Sequence, residues 1–82
     1  MRDRRLVLVT AFDCHLCAHA RDVLGRLGVA ESVREVDVES EDAKALADAG
    51  VLLSFLPVLW DGERVLGFGR LSERRLRREL GL

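Results

Sequence analysis

The sequence has one proline, one lysine, no tyrosine and only two cysteines among its 82 residues. What the sequence lacks excludes several kinds of structure and binding site. No apolar run approaches the roughly 20 residues that a helix needs to cross a bilayer, so we expect no membrane span. No second Cys-x-x-Cys pair and no distant histidine is present to complete a four-ligand zinc site. The formal net charge of -1 gives no overall attraction to nucleic acid or to a membrane surface.

The composition is that of a soluble globular protein, with 49% hydrophobic and 33% charged residues. No repeat, linker or low-complexity segment divides the chain, so we expect residues 1–82 to form a single domain. We also expect the protein to be a monomer. Arg2, Arg4 and Arg5 resemble the start of a secretory signal. Asp13 and His15 interrupt the apolar stretch that follows, so we expect a cytoplasmic protein whose N-terminus belongs to the fold.

The first half of the chain predicts a strand, a helix and a second strand. Residues 5–10 (RLVLVT) have the composition of a central strand buried on both faces. A helical stripe follows, and Gly28 before the apolar Val29 favours a helix stop. Residues 32–38 (SVREVDV) alternate valines with charges, as in an edge strand. The stripe consists of Cys17, Ala20, Leu24 and Leu27.

The second half predicts a short helix, a hairpin and a last helix. Ser40 is a good N-cap and Gly50 a good stop for the short helix. Two apolar runs, LPVLW and ERVLGF, flank Asp61-Gly62, a dipeptide that favours a type I′ hairpin turn. Ser72 is expected to cap the last helix, with Leu76 and Leu80 inward and with Arg74, Arg75, Arg77 and Arg78 in water.

The predicted element order is β-α-β-α-β-β-α. Because a helix joins the first two strands, they should be parallel with a right-handed crossover. The third and fourth strands form an antiparallel hairpin. The expected fold is therefore α/β, a four-stranded mixed sheet with helices on both faces.

Two short segments within this order resemble a known family. A Cys-x-x-Cys pair (CHLC, residues 14–17) stands between a strand and a helix, and a proline (FLPVL, around Pro57) precedes a hairpin about forty residues later. This arrangement resembles the glutaredoxin-like branch of the thioredoxin superfamily, including small bacterial glutaredoxin-like proteins. The resemblance implies a thioredoxin-like fold and a thiol–disulfide oxidoreductase that takes part in electron transport.

The position of each cysteine suggests its role in that chemistry. Cys14 is expected at the start of the first helix, where unpaired N–H groups and the helix dipole stabilise a thiolate nucleophile. Cys17 lies on the inward stripe, one turn deeper, and would resolve the mixed disulfide. His15 and Asp13 would tune the pKa of the Cys14 thiol in opposite directions, because a protonated histidine favours the thiolate and a carboxylate disfavours it.

The resemblance also implies where a substrate docks. In similar proteins the proline is cis, faces the cysteine pair, and is preceded by a residue whose backbone pairs with an extended substrate. These roles fall on Pro57 and Leu56. Phe12 precedes the cysteine pair and is expected to form an apolar lip of the site.

The chain departs from typical glutaredoxins where those proteins hold glutathione. Its spacer is His15-Leu16 instead of Pro-Tyr, and the segment after the hairpin (GFGRLS) lacks an acidic pair. Gly67 and Gly69 could still form a backbone nest for a carboxylate, and Arg70 could pair with one. The expected partners are a disulfide-containing protein or a small thiol, either glutathione or another low-molecular-weight thiol, with electrons from a thiol pool or a reductase. No bound cofactor and no metal is expected.

Plainer interpretations stay open beside this one. Cys14 and Cys17 could be unreactive core residues or, with His15 and His19 nearby, half of a metal site between two subunits. The chain would then be a redox-inert or metal-carrying binding module. The arginines of the last helix are more simply a solvated face than a surface for RNA or an acidic partner. The aromatics Phe55, Trp60 and Phe68 are assigned to the core or its rim.

Overall fold

A computed structural model describes residues 5–82 of the chain. Its strands and helices follow the predicted order, with an additional 3-10 turn before the second strand. Arg2 and Arg4, considered above as part of a signal, lie outside the described residues. The elements are β1 (Leu6–Thr10), α1 (His15–Arg26), the 3-10 turn (Ala30–Ser32), β2 (Val33–Asp37), α2 (Glu41–Asp48), β3 (Val58–Trp60), β4 (Val65–Phe68) and α3 (Glu73–Glu79).

The four strands form one mixed sheet in the order β2-β1-β3-β4. β1 pairs parallel with β2 and antiparallel with β3, and β3 pairs antiparallel with β4. The predicted mixed sheet is confirmed, with β1 in the interior and β2 at an edge. Between residues 5 and 82, no helix combines the length and the apolar character needed to cross a membrane.

Helices cover both faces of the sheet, as predicted. Leu6 and Leu8 of β1 point to the face where the apolar stripe of α1 and the leucines of α3 pack. Val9 points to the opposite face, where it packs with Val36, Val58 and Ala43 of α2. The alternation along β1 therefore buries side chains on both sides, which explains why its sequence carries no charge between Leu6 and Thr10.

Local signals set the ends of the helices as the sequence predicts. The Ser40 hydroxyl accepts a hydrogen bond from the Ala43 N–H, and the Ser72 hydroxyl accepts one from the Arg75 N–H, each at 3.2 Å. At the end of α1, Gly28 adopts a φ of 77°, which lets the Val29 N–H reach the Leu24 carbonyl at 3.2 Å.

The hairpin is confirmed, but the predicted type I′ turn is wrong. That turn needs positive φ at both central residues, and Gly62 has it (φ 103°) whereas Asp61 does not. The Asp61 carboxylate instead accepts hydrogen bonds from the backbone N–H groups of Glu63 and Arg64, both at 2.8 Å. These bonds stabilise a loop longer than the predicted two-residue turn, and they keep the pKa of the Asp61 carboxyl below its ordinary value. The β3–β4 pairing also shifts register between Leu59 and Trp60.

Candidate dithiol active site

The candidate site lies at the end of the sheet where β1 turns into α1. β1 ends at Thr10, and a four-residue turn leads to the first helical residue, His15. Asp13 in this turn has a φ of 57°, a left-handed conformation that aspartate tolerates better than most residues. This turn reverses the chain between the buried strand and the helix, so Cys14 lies directly before the first residue of α1.

Cys14 is the N-cap of α1. Its backbone is extended (φ −116°, ψ 111°), and its Sγ accepts a hydrogen bond from the Cys17 N–H at 3.1 Å. That N–H is one of the donors that a helix start leaves without a backbone partner. No acidic residue occupies the first turn of α1, so no helical carboxylate opposes negative charge on the sulfur.

The two cysteines differ in their access to solvent. Cys17 is fully buried on the inward stripe of α1, whereas Cys14 is half-buried at the helix start. They are joined in a disulfide, with their Cα atoms 5.2 Å apart. A reagent approaching from solvent therefore meets the Cys14 sulfur first, and the helix spacing keeps Cys17 within reach of it.

Asp13 and His15 both lie at the surface beside Cys14. Within residues 5–82, neither side chain forms a hydrogen bond or an ion pair. Their roles in tuning the thiol stay a prediction. The described part of the chain holds no group of three or more His, Cys, Asp or Glu side chains placed to share a metal ion.

Leu56 and Pro57 lie at the same end of the sheet as the cysteines. β1 and β3 are antiparallel with Val9 opposite Val58, so the residue before Val58 lies next to the C-terminal end of β1. The Leu56–Pro57 peptide bond is cis, as the resemblance implies. The Leu56 backbone forms no hydrogen bond with other main-chain groups of residues 5–82, which leaves its N–H and C=O available to an extended peptide.

The segment proposed to hold a carboxylate is only partly available. The Gly69 N–H donates to the Pro57 carbonyl at 2.8 Å, so that group is engaged within the chain. Gly67 packs closely, since a Cβ there would meet the Leu71 side chain at 3.0 Å. Arg70 is exposed and lines a pocket with Arg75, so their guanidinium groups are donors that an anion there could bind.

Large apolar side chains are exposed around this end of the molecule. Phe12 is 94% exposed, and its role as an apolar lip of the site stays a prediction. Phe55 and Phe68 are 69% and 60% exposed, so they are not core residues, and their ring centroids lie 6.2 Å apart. Phe55 lies in the loop before β3 and Phe68 is the last residue of β4, and an apolar run in the sequence does not reveal that these positions are exposed. Trp60 is half-buried.

A polar cluster beside the site was not anticipated from the sequence. The buried Thr10 hydroxyl donates to Glu35 Oε2 at 3.0 Å, and Arg21 of α1 donates to both Glu35 oxygens, from Nε to Oε1 at 3.0 Å and from Nη2 to Oε2 at 2.5 Å. The Arg21 hydrogen bonds hold the pKa of the Glu35 carboxyl below its ordinary value, the Thr10 bond adds to this, and burial opposes it. The cluster ties α1 to β1 and β2 at the last residue before the cysteine turn.

Comparisons with known proteins give a likeness of fold alone. No family model and no curated protein matches the sequence. A solved structure described as "Structure of a malarial protein" superposes with a TM-score of 0.58 over 94% of each chain, at 15% sequence identity. This likeness supports the small α/β architecture and says nothing about the chemistry of the cysteines.

Proposed function

We propose that the protein is a cytoplasmic thiol–disulfide oxidoreductase of glutaredoxin-like, and hence thioredoxin-like, fold. Cys14 is the nucleophile, Cys17 is the resolving thiol, and the backbone of Leu56 docks the substrate. The observation that carries this proposal is the Cys14 sulfur at the N-cap of α1, with the Cys17 N–H directed at it. The same donor and the helix dipole stabilise a thiolate when the disulfide is reduced.

The reaction transfers two electrons from the cysteine pair to a substrate disulfide. The Cys14 thiolate attacks one substrate sulfur, which forms a mixed disulfide and releases the other substrate sulfur as a thiolate. The Cys17 thiolate then attacks the Cys14 sulfur, which closes the Cys14–Cys17 disulfide and releases the second substrate thiolate. The two protons lost by the cysteine thiols balance those taken up by the products, and a low-molecular-weight thiol or a dithiol reductase resets the pair.

The burial difference between the cysteines supports the division of roles. Because Cys17 has no exposed surface, it cannot compete with Cys14 for an incoming disulfide. Because it lies three residues along the same helix, it is already placed for the second step. If both cysteines were buried, a substrate disulfide could not reach either sulfur. If both were exposed, either sulfur could attack the substrate, and the two roles would not be divided.

Single cysteine substitutions test the proposal. Cys14→Ser should abolish reduction of 2-hydroxyethyl disulfide, because the remaining thiol is buried. Cys17→Ser should keep the first attack and accumulate a mixed disulfide, visible by intact mass after acid quenching. Circular dichroism of both variants controls for folding.

Two results would contradict the assigned roles. Reduction by the Cys14→Ser protein at the wild-type rate would show that Cys14 is not the nucleophile. Failure of the folded Cys17→Ser protein to form any mixed disulfide, with wild-type protein equally inert, would reject the oxidoreductase proposal itself.

A further inference from the structure

An apolar groove lies on the α2 face of the sheet, beside the segment that contains Leu56. Its volume is about 400 Å³, and no charged side chain lines it. Phe55 and Phe68 form part of its wall with their rings 6.2 Å apart, and Leu52 is 80% exposed. The lining residues are Gly50, Leu52, Ser54, Phe55, Val65 and Phe68.

A cationic pocket of about 300 Å³ lies on the other side of β4. Arg70 and Arg75 line it, and neither guanidinium forms an ion pair with any residue between 5 and 82. By contrast, Arg77 of α3 pairs with Glu73, and Arg64 pairs with Glu79. Two cations that line one pocket and have no ion-pair partner among residues 5–82 give this pocket a preference for an anionic occupant.

The groove and the pocket form one continuous surface. Val65 and Phe68 line both of them, so the two meet at β4, which is an edge of the sheet. Phe68 stands opposite Val58, and Phe55 directly precedes Leu56. The surface therefore runs from Phe55, next to the proposed substrate-docking residue, to Arg70 and Arg75.

We propose that this surface docks an extended polypeptide substrate with an apolar side chain beside its disulfide and acidic side chains further along. This inference rests on the proposed function, whose substrate class it names. The groove, whose lining carries no charge, fits an aliphatic or aromatic side chain. Arg70 and Arg75, which form no ion pair within the described part of the chain, complement carboxylates. Glutathione meets half of this description, since it carries carboxylates but no apolar side chain.

The test compares three peptides, each with one cysteine held as a mixed disulfide with 2-mercaptoethanol. The first has leucine beside the cysteine and two glutamates beyond it; the second replaces the glutamates by glutamines; the third replaces the leucine by serine. Second-order rate constants are measured with pre-reduced protein, quenched with acid and read by intact mass. The first peptide should react about 3–10-fold faster than the second in low salt, with the ratio approaching one in 0.5 M NaCl. It should react about tenfold faster than the third.

Charge-reversal variants locate the effect. In Arg70→Glu/Arg75→Glu the ratio between the first and second peptides should fall to about one or below. Arg74→Glu/Arg78→Glu makes the same change in net charge at two exposed positions of α3 that do not line the pocket, and should keep most of the ratio. An equal loss in both double variants would show a general charge effect and overturn the proposed surface.

Failure of this inference can be told apart from failure of the proposed function. Normal reduction of 2-hydroxyethyl disulfide with equal rates for all three peptides overturns the docking surface and leaves the oxidoreductase in place. Absence of any reduction rejects the oxidoreductase. In that case, fluorescence anisotropy with S-methylated, labelled forms of the same peptides tests whether the surface binds them. Preferential binding of the leucine–glutamate peptide supports the surface, and equal binding overturns it.

Discussion

Reduction of the Cys14–Cys17 disulfide should change the free energy of unfolding only slightly. The cysteines are three residues apart, so the bond closes a very small loop in the unfolded chain. The loop-closure relation gives about 1.5–2 kcal/mol of stabilisation for a loop of this size. In the reduced protein, the interaction of a Cys14 thiolate with the start of α1 stabilises the folded state by about 0.3–1 kcal/mol. We therefore expect the oxidised protein to be more stable by about 1 kcal/mol.

Urea unfolding of the oxidised and the reduced protein at pH 7, followed by circular dichroism, measures this difference. The m-values should agree between the two forms, because the same surface becomes exposed. The Cys14→Ser protein is the control, since its stability should not respond to a reductant. A difference above about 4 kcal/mol would contradict this prediction, because the disulfide would then make a major contribution to the stability of the fold.

The same difference limits how far folding can move the midpoint potential of the cysteine pair. In a thermodynamic cycle, the extra stability of the oxidised protein equals the shift in potential between the folded and the unfolded chain. At about 30 mV for each 1.4 kcal/mol, a difference of 1 kcal/mol corresponds to about 20 mV. Equilibration of the protein in graded redox buffers, in the presence and absence of denaturant, measures that shift independently of the urea experiment.

Two further predictions concern stability. Glu35→Gln should lower the free energy of unfolding by about 0.5–1 kcal/mol at pH 7, since the Arg21–Glu35 pair is partly exposed and screened. Because the pKa of Glu35 is lowered in the folded state, its contribution is present above the unfolded pKa of about 4.3 and is lost as the pH falls through the folded pKa. Urea titrations from pH 7 to 3 should therefore converge for wild type and variant, and a constant gap would contradict the assignment. Leu59→Ala should lower the free energy of unfolding by about 2–5 kcal/mol, because Leu59 is fully buried in β3, between β1 and β4. Leu52→Ala is the control and should lower it little, because Leu52 is exposed. Equal losses of stability in thermal unfolding would contradict the described core.

The elements that the sequence predicts correctly are those with a local physical cause. Ser40 and Ser72 cap helices because a hydroxyl satisfies an N–H three residues later, a relation contained within four residues. The inward stripe of α1 follows from helical periodicity alone, and it includes Cys17. The difference in burial between Cys14 and Cys17 could therefore be predicted before any tertiary contact was known.

The features that escaped prediction depend on long-range contacts or on competition between side chains. Thr10 and Glu35 are 25 residues apart and meet only because β1 and β2 pair in parallel. At the hairpin, the Asp61 carboxylate competes for backbone N–H groups and replaces the turn that the Asp-Gly pair favours. The exposure of Phe55 and Phe68 follows from their positions, in the loop before β3 and at the last residue of β4, which hydrophobicity alone does not reveal.

The end of the sheet explains why such different features meet at Cys14. β1 is interior, so the turn after it has a strand on either side, with β2 ending at Asp37 and β3 beginning at Val58. The helix start supplies donors for a thiolate, while the antiparallel β3 brings to the same end the Leu56 backbone, which has no main-chain partner among the described residues. β4 then carries Phe68 there, opposite Val58. One strand order thus brings together the proposed nucleophile, the proposed peptide-pairing edge and an apolar wall, and a shift in the β1–β3 register would separate that edge from the Cys14 sulfur without changing either residue.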